Sequence, residues 1–203
     1  GMIANGAVAI EGDRIVWRGP MAQIPPTYAK LPRHSAEGRL VTPALIDCHS
    51  HIVFGGDRAA EFEMRLNGAS YEDVARAGGG ILSTVTATRA ASEDALLQQA
   101  LARADQIIAG GAATIEVKSG YGLTIADELK MLRVAREIGK KRSVRILTTH
   151  LAAHAIPPEY KGRSMDYIQT VAIPSLQAAH AEGLVDAVDA FCEGIAFSPA
   201  EVE

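Results

Sequence analysis

From Ser92 onward the chain alternates between stretches whose apolar residues recur every three or four positions and short runs that are apolar and β-branched almost throughout. Ser92, followed by Glu93 and Asp94, predicts the start of a helix that runs to Gly110-Gly111, with acids in its first turn and glycine past its end. "AATIEVKS" (112–119) is a short β-rich run. Thr124 is the predicted cap of the next helix, in which Ile125, Leu129, Leu132 and Ile138 share one face. A strand is predicted at 144–150, a helix around 164–182, and a further strand at 187–193. Ser198-Pro199 reads as an N-cap followed by proline at the first helical position. Ahead of these, residues 7–19 predict two short strands joined at Glu11-Gly12-Asp13. "PPTYAKLPRHS" is a proline-rich connection, and "GRLVTPALIDCHSH" is strand-like again, with Pro43 confined to an edge or a boundary.

Alternating strands and helices with short links imply an α/β fold with a parallel sheet, either covered by helices on both faces or closed into a barrel. Four inner strands are predicted, at 44–49, 112–118, 144–150 and 187–193. A closed (β/α)8 barrel needs eight strands and about 250 residues, so the pattern predicts half a barrel. Length and composition (203 residues, 48% apolar, 22% charged, net charge -4) suit one globular domain or two small ones. Scattered lysines and arginines argue against a nucleic-acid partner, and no apolar stretch approaches the roughly 20 residues of a membrane span. No charged start with an apolar block suggests secretion, so a cytoplasmic location is expected. Cys48 and Cys192 each sit in an apolar segment and are expected to be buried free thiols.

The chemistry concentrates at the predicted strand ends. His49 and His51 are two apart on a strand, so their side chains share a face, and two adjacent imidazoles can hold one zinc or iron ion. Taken alone, the pair fits ligands and ordinary strand-end histidines equally well; the apolar strand before it and Gly55-Gly56 after it favour ligands. Arg58 follows in the loop that would rim the site, where its forked donors could grip a carboxylate or lie solvated. In "EVKSGYGL" (116–123), Glu116 and Lys118 share a face and can form an internal ion pair. Gly120 and Gly122 bracket Tyr121 in a tight turn. His150 and His154 follow the third inner strand, each a substrate contact or a satisfied buried histidine. "GGGIL" (78–82) precedes a helix start able to receive an anion, or is a linker. His34 and His180 read as structural. No nucleophile elbow or dinucleotide fingerprint is present.

"TPALIDCHSHIVFGGDR", "NGASYEDVARAGGGILSTVTATRAAS", "EVKSGYGL", "ELKMLRVA" and "AHAIPPEYKGR" together resemble the imidazolonepropionase family of the metal-dependent amidohydrolase superfamily, in order from about residue 7 to the end. The His-x-His strand is common to the superfamily, whereas "GGGILSTV" and "KSGYGL" are far more specific to this family. The resemblance implies a (β/α)8 TIM-barrel fold, here about its first half (41–203), preceded by part of a small β-sandwich domain (1–40). It implies hydrolysis of 4-imidazolone-5-propanoate to N-formimidoyl-L-glutamate in histidine degradation, with one zinc or iron ion, a small-molecule partner and a homo-oligomer. By position in the shared motifs, His49 and His51 correspond to metal ligands, and Arg58, Tyr121, His154 and Tyr71 to substrate-binding residues.

Two departures are local: Ser50 stands where the family has Thr, and His150 where it has Phe, a stray ligand or polar contact in place of an apolar side chain. A larger one is that the family's third metal histidine, its neighbouring glutamate, a later catalytic histidine and an aspartate ligand have no counterpart here. No catalytic residue is therefore expected in this stretch, which reads as an inactive fragment. The alternatives are another cyclic-amide hydrolase of the hydantoinase or dihydroorotase kind, for which Lys118 would be the carbamylated residue, and a non-catalytic, self-associating fragment.

Overall fold

The computed structural model describes residues 1–70, 73, 79–193 and 196–203, and these fall into two compact units, Gly1–Pro43 and Ala44–Glu203. In the first unit, β1 (Gly6–Glu11) and β2 (Arg14–Pro20) form the predicted antiparallel hairpin. Gly12 turns the chain with φ +62, a left-handed conformation that costs glycine little. A bulge at Ala9/Ile10 interrupts the register.

The second unit is built on four parallel strands: β3 (Leu45–Ser50), β4 (Ala112–Lys118), β5 (Arg145–Ala153) and β6 (Ala187–Ala190). Their order in the sheet is their order in the chain. A sheet wound in one direction by right-handed crossovers keeps its helices on one face, which is the winding of a barrel and not of a doubly wound sheet. Ile115 and Val117 of β4 and Ile146 of β5 all enter the helix-side core. The alternate residues Glu116, Lys118 and Thr149 are hydrogen-bonded to one another on the opposite face.

The helices follow their caps. Among the described residues, α1 (Ala59–Leu66) and α2 (Ile81–Ala90) lie between β3 and α3 (Glu93–Ala109). Ser92 caps α3 by accepting from the Ala95 amide at 3.2 Å, and Thr124 caps α4 (Ile125–Lys141) through Asp127 at 3.1 Å. On α3, Leu96, Leu97, Ala100, Leu101 and Ala104 are buried against Met131, Val134, Ala135 and Ile138 of α4. Each large side chain so buried contributes about 1.5–3 kcal/mol. The predicted helix around 164–182 starts as α5 (Ser164–Tyr167), widens to a π turn at Ile168–Ala172 and continues as α6 (Ile173–Ala181). The π turn lies just ahead of Pro174, which has no amide hydrogen to give the helix. Ser198, with Glu201, makes a full capping box for the short α7 (Pro199–Val202).

Three expectations need correction. Cys48 and Cys192 are free but exposed: Cys48 lies on an edge strand and Cys192 beyond the end of β6, neither of them covered by a neighbour. Ile125 is also exposed, because it opens α4 ahead of the first turn that reaches the core. The fourth strand ends at Ala190 and not at residue 193, while the third extends to Ala153.

Candidate active site

The carboxyl ends of β3, β4 and β5 bring together a group of rings. His49 is the penultimate residue of β3, and His51 follows the strand's last residue. Their ring centroids are 5.5 Å apart. His51 stacks on His154, which follows the last residue of β5, at 4.8 Å and 13°. Tyr121, from the loop after β4, lies 5.1 Å from His51 and 5.3 Å from His154. Three strand-end loops thus meet on one imidazole.

His51 is the centre of the cluster. Burial, reinforced by the positive fields of His154, His49 and Lys118, pushes its pKa down to about 4, so the ring is neutral at pH 7. Its Nδ1 is buried without a hydrogen-bond partner. An orphaned buried nitrogen costs about 1–3 kcal/mol, and a neutral imidazole lone pair is a metal ligand's donor. His154 is lowered chiefly by burial. Its Nδ1 lies 3.1 Å from the Gly120 carbonyl, which can only accept, so Nδ1 carries the proton and Nε2 keeps its lone pair. Burial pushes Tyr121 up against the opposing charge of Arg58, so it stays a neutral phenol.

Arg58 lies just ahead of α1, and Glu61 holds its guanidinium through Nε, at 2.8 Å, and Nη2. The same carboxylate accepts from the Gly80 amide at 2.8 Å and the Ser83 hydroxyl at 3.1 Å. The anion-receiving start of α2 is thus occupied by a side chain of the protein itself. Tyr71 and Gly78 lie outside the described residues. On the polar face of the sheet, Lys118 bonds Glu116 at 2.7 Å, the expected pair, and also Asp189 at 3.0 Å. Burial opposes the ammonium, but these two carboxylates outweigh it and push Lys118 up. The same contacts outweigh burial at Glu116 and Asp189 and hold both carboxyls down.

His150 does not join the site. It points to the helix side of β5, where Nε2 meets the Ser175 hydroxyl at 2.8 Å. That hydroxyl donates to the Ala172 carbonyl, so His150 donates through Nε2. Burial lowers its pKa to about 4. A depressed histidine favours the fold only while neutral: its contribution is complete above pH 6.5, the unfolded value, and is lost as pH falls through about 4. The shift is worth about 3 kcal/mol. Denaturant unfolding at pH 7 and pH 4.5 is expected to show this loss, and His150→Met is expected to make the fall shallower by about that amount while the depressed His51 keeps its own share; an equally steep fall in the variant would clear His150.

Sequence reading missed Glu128, which is fully buried and accepts from the amides of Gly120 at 3.0 Å, Gly122 at 2.9 Å and Leu123 at 2.8 Å. Burial pushes its pKa up against those hydrogen bonds. The available signal was an acid three residues before Met131 and seven before Ala135, on the apolar stripe of α4. Among the described residues, no group of three or more histidine, cysteine or acidic side chains is placed to hold a metal ion.

No family model matches the chain. Comparison with curated proteins gives relatives named imidazolonepropionase. The protein from Roseobacter denitrificans is 64% identical over 202 residues, which is 100% of this chain and 51% of that protein. Those from Cereibacter sphaeroides and Rhizobium meliloti are 63% and 60% identical, again over 100% of this chain and 51% and 49% of theirs. The chain therefore spans about half the length of the curated relatives it matches.

Proposed function

We propose that this chain, which belongs to the imidazolonepropionase family, carries one half of a metal-dependent site that hydrolyses 4-imidazolone-5-propanoate to N-formimidoyl-L-glutamate. The observation that carries this reading is the buried, unpartnered Nδ1 of His51 at the meeting point of three strand-end loops. We assign Ala44–Glu203 to about half of a (β/α)8 barrel, because the sheet is wound in one direction with its polar residues on the face away from the helices. Gly1–Pro43 would be part of a small β-sandwich domain.

His49 and His51 would hold one zinc or iron ion. When bound, such an ion lowers the pKa of a water molecule toward neutrality and polarises the ring carbonyl. The remaining roles fall to side chains of this chain. Arg58, fixed by Glu61, would take the propanoate carboxylate, with the Tyr121 phenol as a further donor. His154, its proton held at Nδ1 by Gly120, would offer Nε2 to a ring N–H of the substrate. The stacked imidazoles and Tyr121 would exclude water from one side of a planar ring.

A carbamylated Lys118, the mark of the hydantoinase-like alternative, is disfavoured. Carbamylation needs a neutral amine, and two carboxylates stabilise the ammonium here.

The test is to follow the ultraviolet absorbance of imidazolonepropanoate in a protein that carries this stretch at the relatives' full length. Metal-dependent decay is expected. Arg58→Lys, which keeps the charge but loses the planar fork, is expected to raise KM about tenfold, for a bond worth about 1–3 kcal/mol. An unchanged KM would remove Arg58 from the site, and no decay at all would end the functional reading.

A further inference from the structure

We propose that Glu128, with Arg89 acting from the opposite side, is a positioning residue that sets Tyr121 and His154 against His51. This rests on the reading of these rings as a substrate site. The loop Ser119–Leu123 joins β4 to α4 and carries only one of those rings, Tyr121. Its amides converge on one carboxylate: Oε2 of Glu128 accepts from Gly120, and Oε1 from both Gly122 and Leu123. Ser119's side chain bonds the same carboxylate and accepts from the Leu151 amide at 2.9 Å, which ties the loop to β5.

The loop's carbonyls are held from the other side. Arg89 donates through Nε to Gly122 at 2.7 Å and through Nη2 to Leu123 at 3.3 Å. Arg89 is itself tethered, by Glu159 at 2.7 Å and by Lys130 on its own carbonyl at 3.0 Å. The grip holds a turn that is unfavourable at Leu123 and keeps Gly120 close against β5. Leu123 has φ +54, and Gly120 has φ +106 in a space where a Cβ would meet the Leu151 carbonyl oxygen at 2.7 Å.

The link to the rings is a single peptide unit on each side. Gly120 gives its N–H to Glu128 and its carbonyl to His154 Nδ1. Tyr121 is the next residue, flanked by Gly120 and Gly122, both held by Glu128. A shift of the loop therefore moves the phenol directly and removes the acceptor that fixes the His154 tautomer. A carboxylate that only filled space would have had no reason to direct both oxygens at this loop.

Glu128→Gln in the 203-residue chain separates the readings. The volume is kept, but glutamine has one oxygen, so its –NH2 must face either the Gly120 amide or the Gly122–Leu123 pair, donor against donor. Amide exchange at Gly120, Gly122 and Leu123 is expected to quicken by about tenfold or more, as for a lost charge-assisted bond. The Tyr121–His154 and His51–His154 ring NOEs are expected to fade. Ile115, Val117 and Ile146 should keep their protection. Unchanged loop exchange with intact NOEs would overturn the proposal. If protection falls across the whole sheet, Arg89→Met decides, since it releases only the carbonyl side. Local loosening and weaker ring NOEs in that variant would support the positioning role; unchanged contacts, or loss of the whole fold again, would overturn it. These readouts do not depend on turnover, so rings held as described without any hydrolysis would count against the functional reading alone.

Discussion

His51→Phe is expected to abolish divalent-metal binding by this chain while leaving the metal-free fold about as stable as before. The substitution keeps an aromatic ring against His154 and Tyr121, which stack on it at 4.8 Å and lie 5.1 Å away. It removes the buried Nδ1, which has no partner. Deleting an unsatisfied buried nitrogen should gain about 1 kcal/mol, which offsets the loss of the ring's hydrogen bond to the Ser119 backbone, worth about as much. Metal affinity should move the other way. Changes around a ligand typically cost 10–100-fold, so losing one of two protein ligands should cost about a hundredfold or more. Calorimetric zinc titration and denaturant unfolding of the same samples would measure both quantities. His180→Ala, on α6 and outside the cluster, should change neither. A variant that bound zinc as well as the parent, or that unfolded far more easily, would identify His51 as an ordinary packed histidine. Stability kept where function is lost is the expected signature of a residue retained for its chemistry.

That the His49 and His51 rings approach each other was legible from their spacing, and they lie 5.5 Å apart although the register of β3 shifts between Asp47 and Ser50 and His51 follows the strand's last residue. The caps were legible for a similar reason: Ser92 and Thr124 act within three residues of themselves, so no distant contact was needed to place them. The side of the sheet taken by His150 was legible but went unread. His150 has the parity of the apolar Ile146, which enters the helix-side core, so the strand's period of two sends it toward the helices. The Glu128 clasp was much harder to see. Its oxygens act five to eight residues back along the chain, across a helix cap and a left-handed turn, and Arg89 reaches the same loop from another helix. Exposure of Cys48 was not legible either. Its apolar setting signals a strand, and whether an apolar strand is covered depends on what lies beside it in the sheet.

The 203-residue chain by itself is expected to give no measurable hydrolysis of imidazolonepropanoate, with or without added zinc. A catalytic zinc site generally takes three protein ligands and a water molecule, and the cluster offers His49 and His51. Among the described residues, the carboxylates on the polar face of the sheet offer no suitable base either. Glu116 and Asp189 are committed to Lys118 and held below the usual carboxylate range, so neither is poised near neutral pH. The sheet also has two open edges. β3 exposes Leu45 at 62% and Ile46 at 66%, and β6 exposes Val188 at 62%, beside backbone groups that no described strand pairs. Such edges pair with other copies, so sedimentation should reveal self-association that grows with concentration. The βα units should persist through this, since α3 and α4 carry their own caps and pack on Ile115, Val117 and Ile146. Turnover that rose with the square of protein concentration would mean that a second copy completes the site across these edges. Turnover proportional to concentration would contradict the two-ligand reading outright, because one chain would then hold the metal with groups not counted here.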